Sequence, residues 1–250
     1  MPSLRRKPYL LITLPAELAD RVLALNSIDT TVPLRHKQRN HDHTEIHCIL
    51  GALKCGRDLP LAFPAEIFHS DRPDIVIKTP VETIGVEIVE AVSPTFASLE
   101  VLRARTPEAP SIAWARKEIP GSPQLPAKQL KQILEEEIRL EQDESLRHLQ
   151  GGDGFAGDGA VAWAKAMAHF VGQKMEGILK AGFRTYDRNW LLVYDNWGEQ
   201  PISQAQADDQ LQLELQLVGA FTVYDLVLIL NDEALACFSP AGHWRNRKSR

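Results

Sequence analysis

Cysteine is scarce in this chain: Cys48, Cys55 and Cys237 are the three among 250 residues. Three widely spread thiols do not make the disulfide framework of a small secreted domain. Long apolar runs are missing too, and nothing approaches the roughly 20 consecutive apolar residues that a membrane-spanning helix needs. The opening segment, Met1 to Pro15, sets Arg5-Arg6-Lys7 before a short apolar run. That run is shorter than a secretory core, and no small-residue cleavage site follows it. These absences predict a cytoplasmic protein with no membrane partner. An excess of positive charge is also lacking. Lys and Arg number 28 against 33 Asp and Glu, and the net charge of −5 exerts no overall pull on a polyanion.

What is present is an ordinary globular balance, 44% hydrophobic and 24% charged, in a chain long enough for one large domain or a domain carrying an insertion. Charge is unevenly spread. Basic residues gather at Arg5 to Lys7, Arg35 to Arg39 and Arg245 to Arg250, while acids crowd Glu135 to Glu144. A local basic face could meet phosphates, although charge runs commonly serve only to solvate a surface.

Hydrophobic periodicity predicts a strand over residues 8–14 and a helix from Pro15 to Leu25. Ile46, Ile49, Leu50 and Leu53 have helical spacing, with Gly56 as a stop. Strands are expected at 65–69, 74–78 and 84–91, close enough for an antiparallel meander. Residues 95–158 read as an insertion: a proline-dotted stretch, a charged helix from about Pro126 to Leu149, then a glycine-rich break from Gly151 to Gly159. A long helix from Ala160 stops near Gly182, and Trp190 to Tyr194 reads as a buried strand. Leu211 to Val218 alternates apolar and polar residues, which suits a half-buried strand or a helix end. Phe221 to Leu230 and Ala234 to Phe238 form a strand pair around Asn231-Asp232-Glu233. The sum is an α/β architecture, a mixed central sheet flanked by helices, in a single domain over 1–250.

Residues 72–91 carry the chemistry. Pro73-Asp74 opens the run Ile75-Val76-Ile77; after a break at Lys78-Thr79-Pro80, a second apolar run holds Glu87. Acids in such strands must be paired, hydrogen-bonded or bound to a cation. Two carboxylates converging from adjacent strands suit a divalent, oxygen-seeking metal. The plain alternatives are a turn aspartate after proline and a strand glutamate with an arginine partner.

The element order and these residues together resemble the PD-(D/E)xK nuclease superfamily, the restriction-endonuclease-like fold. Pro73-Asp74 matches the proline and first acid of its motif, and Glu87-Ile88-Val89 matches the second, with valine at the lysine position. The resemblance covers residues 43–92 and 160–196. It implies a metal-dependent nuclease in which Asp74, Glu87 and the Ile88 carbonyl hold Mg²⁺ or Mn²⁺. It assigns Glu45 to the acid many members carry on the first helix, and the missing lysine to Lys174 on the helix that follows the meander. Lys165 and Lys180 are alternatives for that lysine. DNA is the implied partner, homodimers are common in the fold, and the 95–158 insertion could dock a protein. Valine at the lysine position leaves a second reading open, a catalytically inactive scaffold or binding protein on the same fold.

Other constellations carry less. Glu66 could line the edge of the site, while Glu90, three residues beyond Glu87, faces the opposite side of a regular strand. His36, His41, His43, His47, Cys48 and Cys55 include a pair four apart, as zinc ligands often are, but without a Cys-x-x-Cys. The glycines at 151–159 lack the Gly-Lys-Ser/Thr end of a phosphate loop. Ser239 and His243 lack a nucleophile elbow and a partner acid.

Overall fold

The computed structural model describes residues 7–33, 39–109, 119–143, 159–178, 186–198, 203–232 and 234–247. The basic stretch at 34–38, most of the glycine-rich break, Leu146, Leu179, Lys180, Gly182 and Glu233 lie outside the described residues. Eight strands form one sheet in chain order. β1 (Tyr9–Leu14), β2 (Ala65–His69), β3 (Ile75–Lys78) and β4 (Thr83–Ala91) are antiparallel neighbours. β5 (Arg188–Asp195) and β6 (Leu226–Leu230) then continue parallel to β4. β7 (Ala234–Ser239) and β8 (Gly242–Arg247) close the far side as antiparallel hairpins. Among the described residues there are six α-helices, α1 (Leu18–Asn26), α2 (His41–Cys55), α3 (Pro94–Arg103), α4 (Ala127–Gln142), α5 (Gly159–Ile178) and α6 (Gln204–Leu217). No helix among those residues is long and apolar enough to cross a membrane.

The two-residue period of the strands divides the core into two layers. Ile84, Val86 and Ile88 of β4 pack with Trp190, Leu192, Leu228 and the α2 residues Ile49 and Leu50. Leu191, Val193, Val227 and Ile229 point the other way, against Trp163, Met167 and Val171 of α5 and Leu211 and Leu215 of α6. Helices on both faces explain why Leu226–Leu230 is buried along its whole length. The parallel pairs follow from the crossovers: β4 reaches β5 through α3 to α5, and β5 reaches β6 through α6.

Local chemistry fixes the start of α2, the helix that carries Glu45. The Asn40 side chain accepts from the His43 N–H at 3.0 Å, and the Asn40 N–H donates to His43 Nδ1 at 3.2 Å, so α2 starts on a reciprocal cap. Gly56 ends it. α3 and α4 are held by a fork of two bonds, in which Arg103 Nε and Nη2 donate to the fully buried Glu137 at 2.8 and 2.7 Å.

Several sequence expectations need correction. The first helix begins at Leu18, not Pro15. Residues 94–103, expected to be loose, are the helix α3, started by Pro94 at its first turn and by Ser93 Oγ accepting from the Phe96 N–H. Phe221 to Thr222 belongs to a 3₁₀ turn, so β6 starts only at Leu226. β8 was not anticipated; Gly242, at φ 135°, turns the chain back, and Ser239 Oγ donates to its carbonyl. Of the two readings open for the alternating segment, the structure takes the helix end, which closes α6. Leu211 and Leu215 are fully buried, but Leu213 is 53% and Leu217 79% exposed, a four-residue spacing that no strand face would give.

That distinction is measurable by urea denaturation. Leu215→Ala is expected to cost about 2–5 kcal/mol, and Leu213→Gln no more than about 0.5 kcal/mol. Equal losses at the two positions would restore the strand reading.

Candidate active site

Asp74 lies at the entrance of β3, in the turn that follows β2, where its carbonyl accepts from the Ser70 N–H at 2.8 Å. Its side chain reaches across to β4 and accepts from the Ile88 N–H at 2.6 Å. Glu87 precedes Ile88 and projects to the α5 side of the sheet. Lys174 stands on α5 three residues beyond the buried Val171, one turn along the same face. Its Nζ donates to Glu87 Oε2 at 2.8 Å and to Asp74 Oδ2 at 3.4 Å. The structure therefore brings Asp74, Glu87 and Lys174 together. Lys165 is exposed, away from this group.

Gly85 leaves room on β4 for the side chains of Tyr186 and Pro73. A Cβ there would fall 2.7 Å from the Tyr186 ring and 3.1 Å from Pro73, the residue that delivers Asp74. Ile88 adds a second polar group. N–H and C=O of one residue leave a strand on the same side, so the Ile88 carbonyl projects with its N–H toward Asp74, past the start of β3 at Ile75.

Glu45 arrives from the other face. It sits one turn into α2 and accepts a 2.7 Å hydrogen bond from Nε2 of the buried His69, the last residue of β2. Asp42, Glu45 and His69 offer ligand atoms within 4.8 Å of one another, and among the described residues this is the one such group of three. His69 and Asp42 were not anticipated. Asp42 could have been found from its place three residues before Glu45 on a helix; His69 has no local signal and joins through the strand ending. Tyr224 was also missed. Its hydroxyl is buried and has no hydrogen-bond partner among the described residues, and burial together with the charges of Glu87 and Asp74 raises its pKa.

The electrostatics show a shortage of positive charge. Burial pushes the Asp74 carboxyl up; Lys174 pulls it down, Glu87 and Glu45 push it up again, and the Ile88 N–H pulls it down, leaving it at about 7. Burial depresses the Lys174 ammonium, but Asp74 and Glu87 outweigh that and hold its pKa above the usual lysine value. The hydrogen bond to Glu45 raises the pKa of His69 against the opposing effect of burial. One lysine serves both Asp74 and Glu87 and does not neutralise the two together. A divalent cation would, and the donors present, carboxylates with a backbone carbonyl, suit Mg²⁺ or Mn²⁺.

The remaining expected residues lie elsewhere. Glu90 is on the opposite face of β4, as its spacing predicts, bound to Arg39 at 3.1 Å and Asn196 at 2.9 Å. Glu66 is exposed on β2, opposite Lys78, and does not join the carboxylates. His43 caps α2, and His47 Nδ1 lies 2.8 Å from the Thr30 carbonyl, so the pair does not assemble as zinc ligands. His36 lies outside the described residues. Ser239 ends β7, and His243 stacks on Phe238 and lies 3.5 Å from Asp209, a partner acid the sequence reading had not found. Comparison of the chain with family models, curated proteins and solved structures gives no match.

The raised Asp74 pKa has a consequence for stability. Between the ordinary carboxyl value of 3.8 and about 7 the folded protein holds a proton that the unfolded chain has released. Stability contributed by that proton is full below the lower value and lost as pH rises through the upper one. Without divalent cations, the urea midpoint is expected to fall between pH 5 and pH 8, and Asp74→Asn to flatten that fall. An unchanged slope in Asp74→Asn would refute the assignment.

Proposed function

We propose that the protein is a divalent-metal-dependent nuclease that hydrolyses phosphodiester bonds of DNA. The observation that carries this reading is the convergence of Asp74 and Glu87 from adjacent strands on one lysine, Lys174, at 3.4 and 2.8 Å. The chain path supports it further. α2, the β2–β3–β4 meander, α5 and a fifth strand parallel to β4 follow the order expected of a restriction-endonuclease-like core.

Asp74, Glu87 and the Ile88 carbonyl would hold the Mg²⁺ or Mn²⁺, with Glu45 at its edge. Bound there, the cation supplies a water acidified enough to attack phosphorus near neutral pH. Lys174 is placed to orient that water and to offset the charge that develops on the phosphate oxygens. The hydrogen bond from His69 holds the Glu45 carboxylate in position at that edge. Cys48, Cys55 and Cys237 are all buried thiols, in keeping with the reducing compartment expected of a cytoplasmic protein. A second reading, an inactive scaffold, rests on the same ion group, since Lys174 closes both carboxylates with no cation required.

Activity and metal binding separate the two. With cation at 100 times its Kd, the wild type should gain about 2.7 kcal/mol of stability, and Asp74→Asn should abolish both that gain and Mg²⁺- or Mn²⁺-dependent cleavage of DNA. Lys174→Ala should lower cleavage by about 10²–10³-fold while retaining the cation-dependent rise in Tm. Lys at position 89, the strand position next to Glu87 on the same face, should restore part of that loss in the double variant Val89→Lys/Lys174→Ala. Undiminished cleavage in Asp74→Asn would sink the site assignment. Absence of both cleavage and stabilisation in the wild type would favour the scaffold.

A further inference from the structure

A cavity of about 370 Å³ opens at the opposite end of α2 from Glu45, between α1, the end of α2 and the 56–63 segment. Nine residues of helix separate Lys54 at its rim from Glu45, about 14 Å along the axis, so it is distinct from the carboxylate site. Its size falls in the range of about 300–1,000 Å³ usual for small-molecule pockets. Leu14, Leu25, Leu59 and Leu61 form a buried aliphatic floor, while Leu18 and Val22 at the mouth are 60% and 48% exposed.

The charges around this cavity are of one sign. Arg21, Lys54 and Arg57 line it, and no acid does. Arg21 is committed already: it donates to the Pro15 and Ala16 carbonyls and lies 3.9 Å over the Phe63 ring. Its guanidinium occupies a face of Phe63, the one aromatic ring in the lining. Lys54 is half-buried and forms no ion pair or hydrogen bond among the described residues. An aliphatic floor gains from displacing water, and a half-buried ammonium without a counter-ion favours an anionic head.

We infer that this cavity is a binding site for an aliphatic anion, a medium-length unbranched hydrocarbon chain ending in a carboxylate, with the chain on the leucine floor and the carboxylate at Lys54. This site is independent of the nuclease reading and adds a small-molecule ligand to the protein.

Titration calorimetry of the full chain with decanoate and with the neutral decanol tests it. Decanoate should bind saturably, one per chain, and decanol about fivefold more weakly, the size of a partly screened ion pair. Lys54→Gln should bring the two to equal affinity. Val22→Phe, at an exposed position where the fold tolerates bulk, should close the mouth and remove both ligands with an unchanged Tm. Decanol binding as tightly as decanoate in the wild type, decanoate binding that survives Val22→Phe, or no saturable decanoate binding would each overturn the proposal. Occupancy by an acidic amphipathic peptide and not by decanoate would overturn it in favour of a helix-docking groove.

Discussion

The carboxylate pair bridged by Lys174 is the constraint to which the surrounding structure is fitted. At 2.8 Å and an effective dielectric constant of about 20, the attraction between Lys174 and Glu87 is about 6 kcal/mol. Removing ions from water costs several kcal/mol each. Lys174, Glu87 and Asp74 are all part-buried, so desolvation offsets much of that attraction. The geometry of the group must come from elsewhere. The β3–β4 register supplies Asp74, the β4 pleat supplies Glu87, and the packing of α5 supplies Lys174. Gly85 allows Pro73 and Tyr186 to lie over β4 at the distance this requires.

β4 joins the two halves of the molecule because its successive residues face opposite layers. Glu87 meets α5, Ile88 meets α2, and Glu90 turns to Arg39. Glu45 and His69 belong to the α2 layer, and Glu87 and Lys174 to the α5 layer. The sheet would normally keep such groups apart. β3 is only four residues long and begins after Asp74, which leaves an opening beside β4 where both layers act on one carboxylate. Both Glu45 and Glu87 raise the Asp74 pKa for this reason.

Much of this was legible in the sequence where the signal is local. The meander strands could be read from β-branched runs broken at proline, and α2 from its apolar spacing and Gly56. Asp74 and Glu87 could be singled out because acids in apolar strands are costly enough to need a partner, whereas Lys174 came only through the resemblance. Periodicity left short windows undecided. Four leucines at alternate positions in 211–217 mimic a strand, although only Leu211 and Leu215 are buried among them. Ser93-Pro94 marked a helix start that a proline-rich context concealed. His69 and Asp42 were beyond reach, since what makes them part of the site is the end of one strand lying against the first turn of a distant helix. The Lys54 cavity was equally hidden: its lining is ordinary leucine, and only the packing of α1 leaves a concave space.

The position of the lysine follows from the same packing. Residues 87 and 89 share a strand face, so a lysine at 89 would point into the α5 layer beside Glu87. Val89 instead packs there as a partly buried apolar residue of that layer. An ammonium at 89 would have to leave the apolar layer along the strand to reach the carboxylates. From α5, Lys174 approaches across the layer with 27% of its side chain exposed, so its methylenes cover apolar surface while its head reaches both acids. The helix is the less costly support for that charge, because β4 is covered on both faces. A sequence pattern records the attachment point. The chemistry depends on where the ammonium ends.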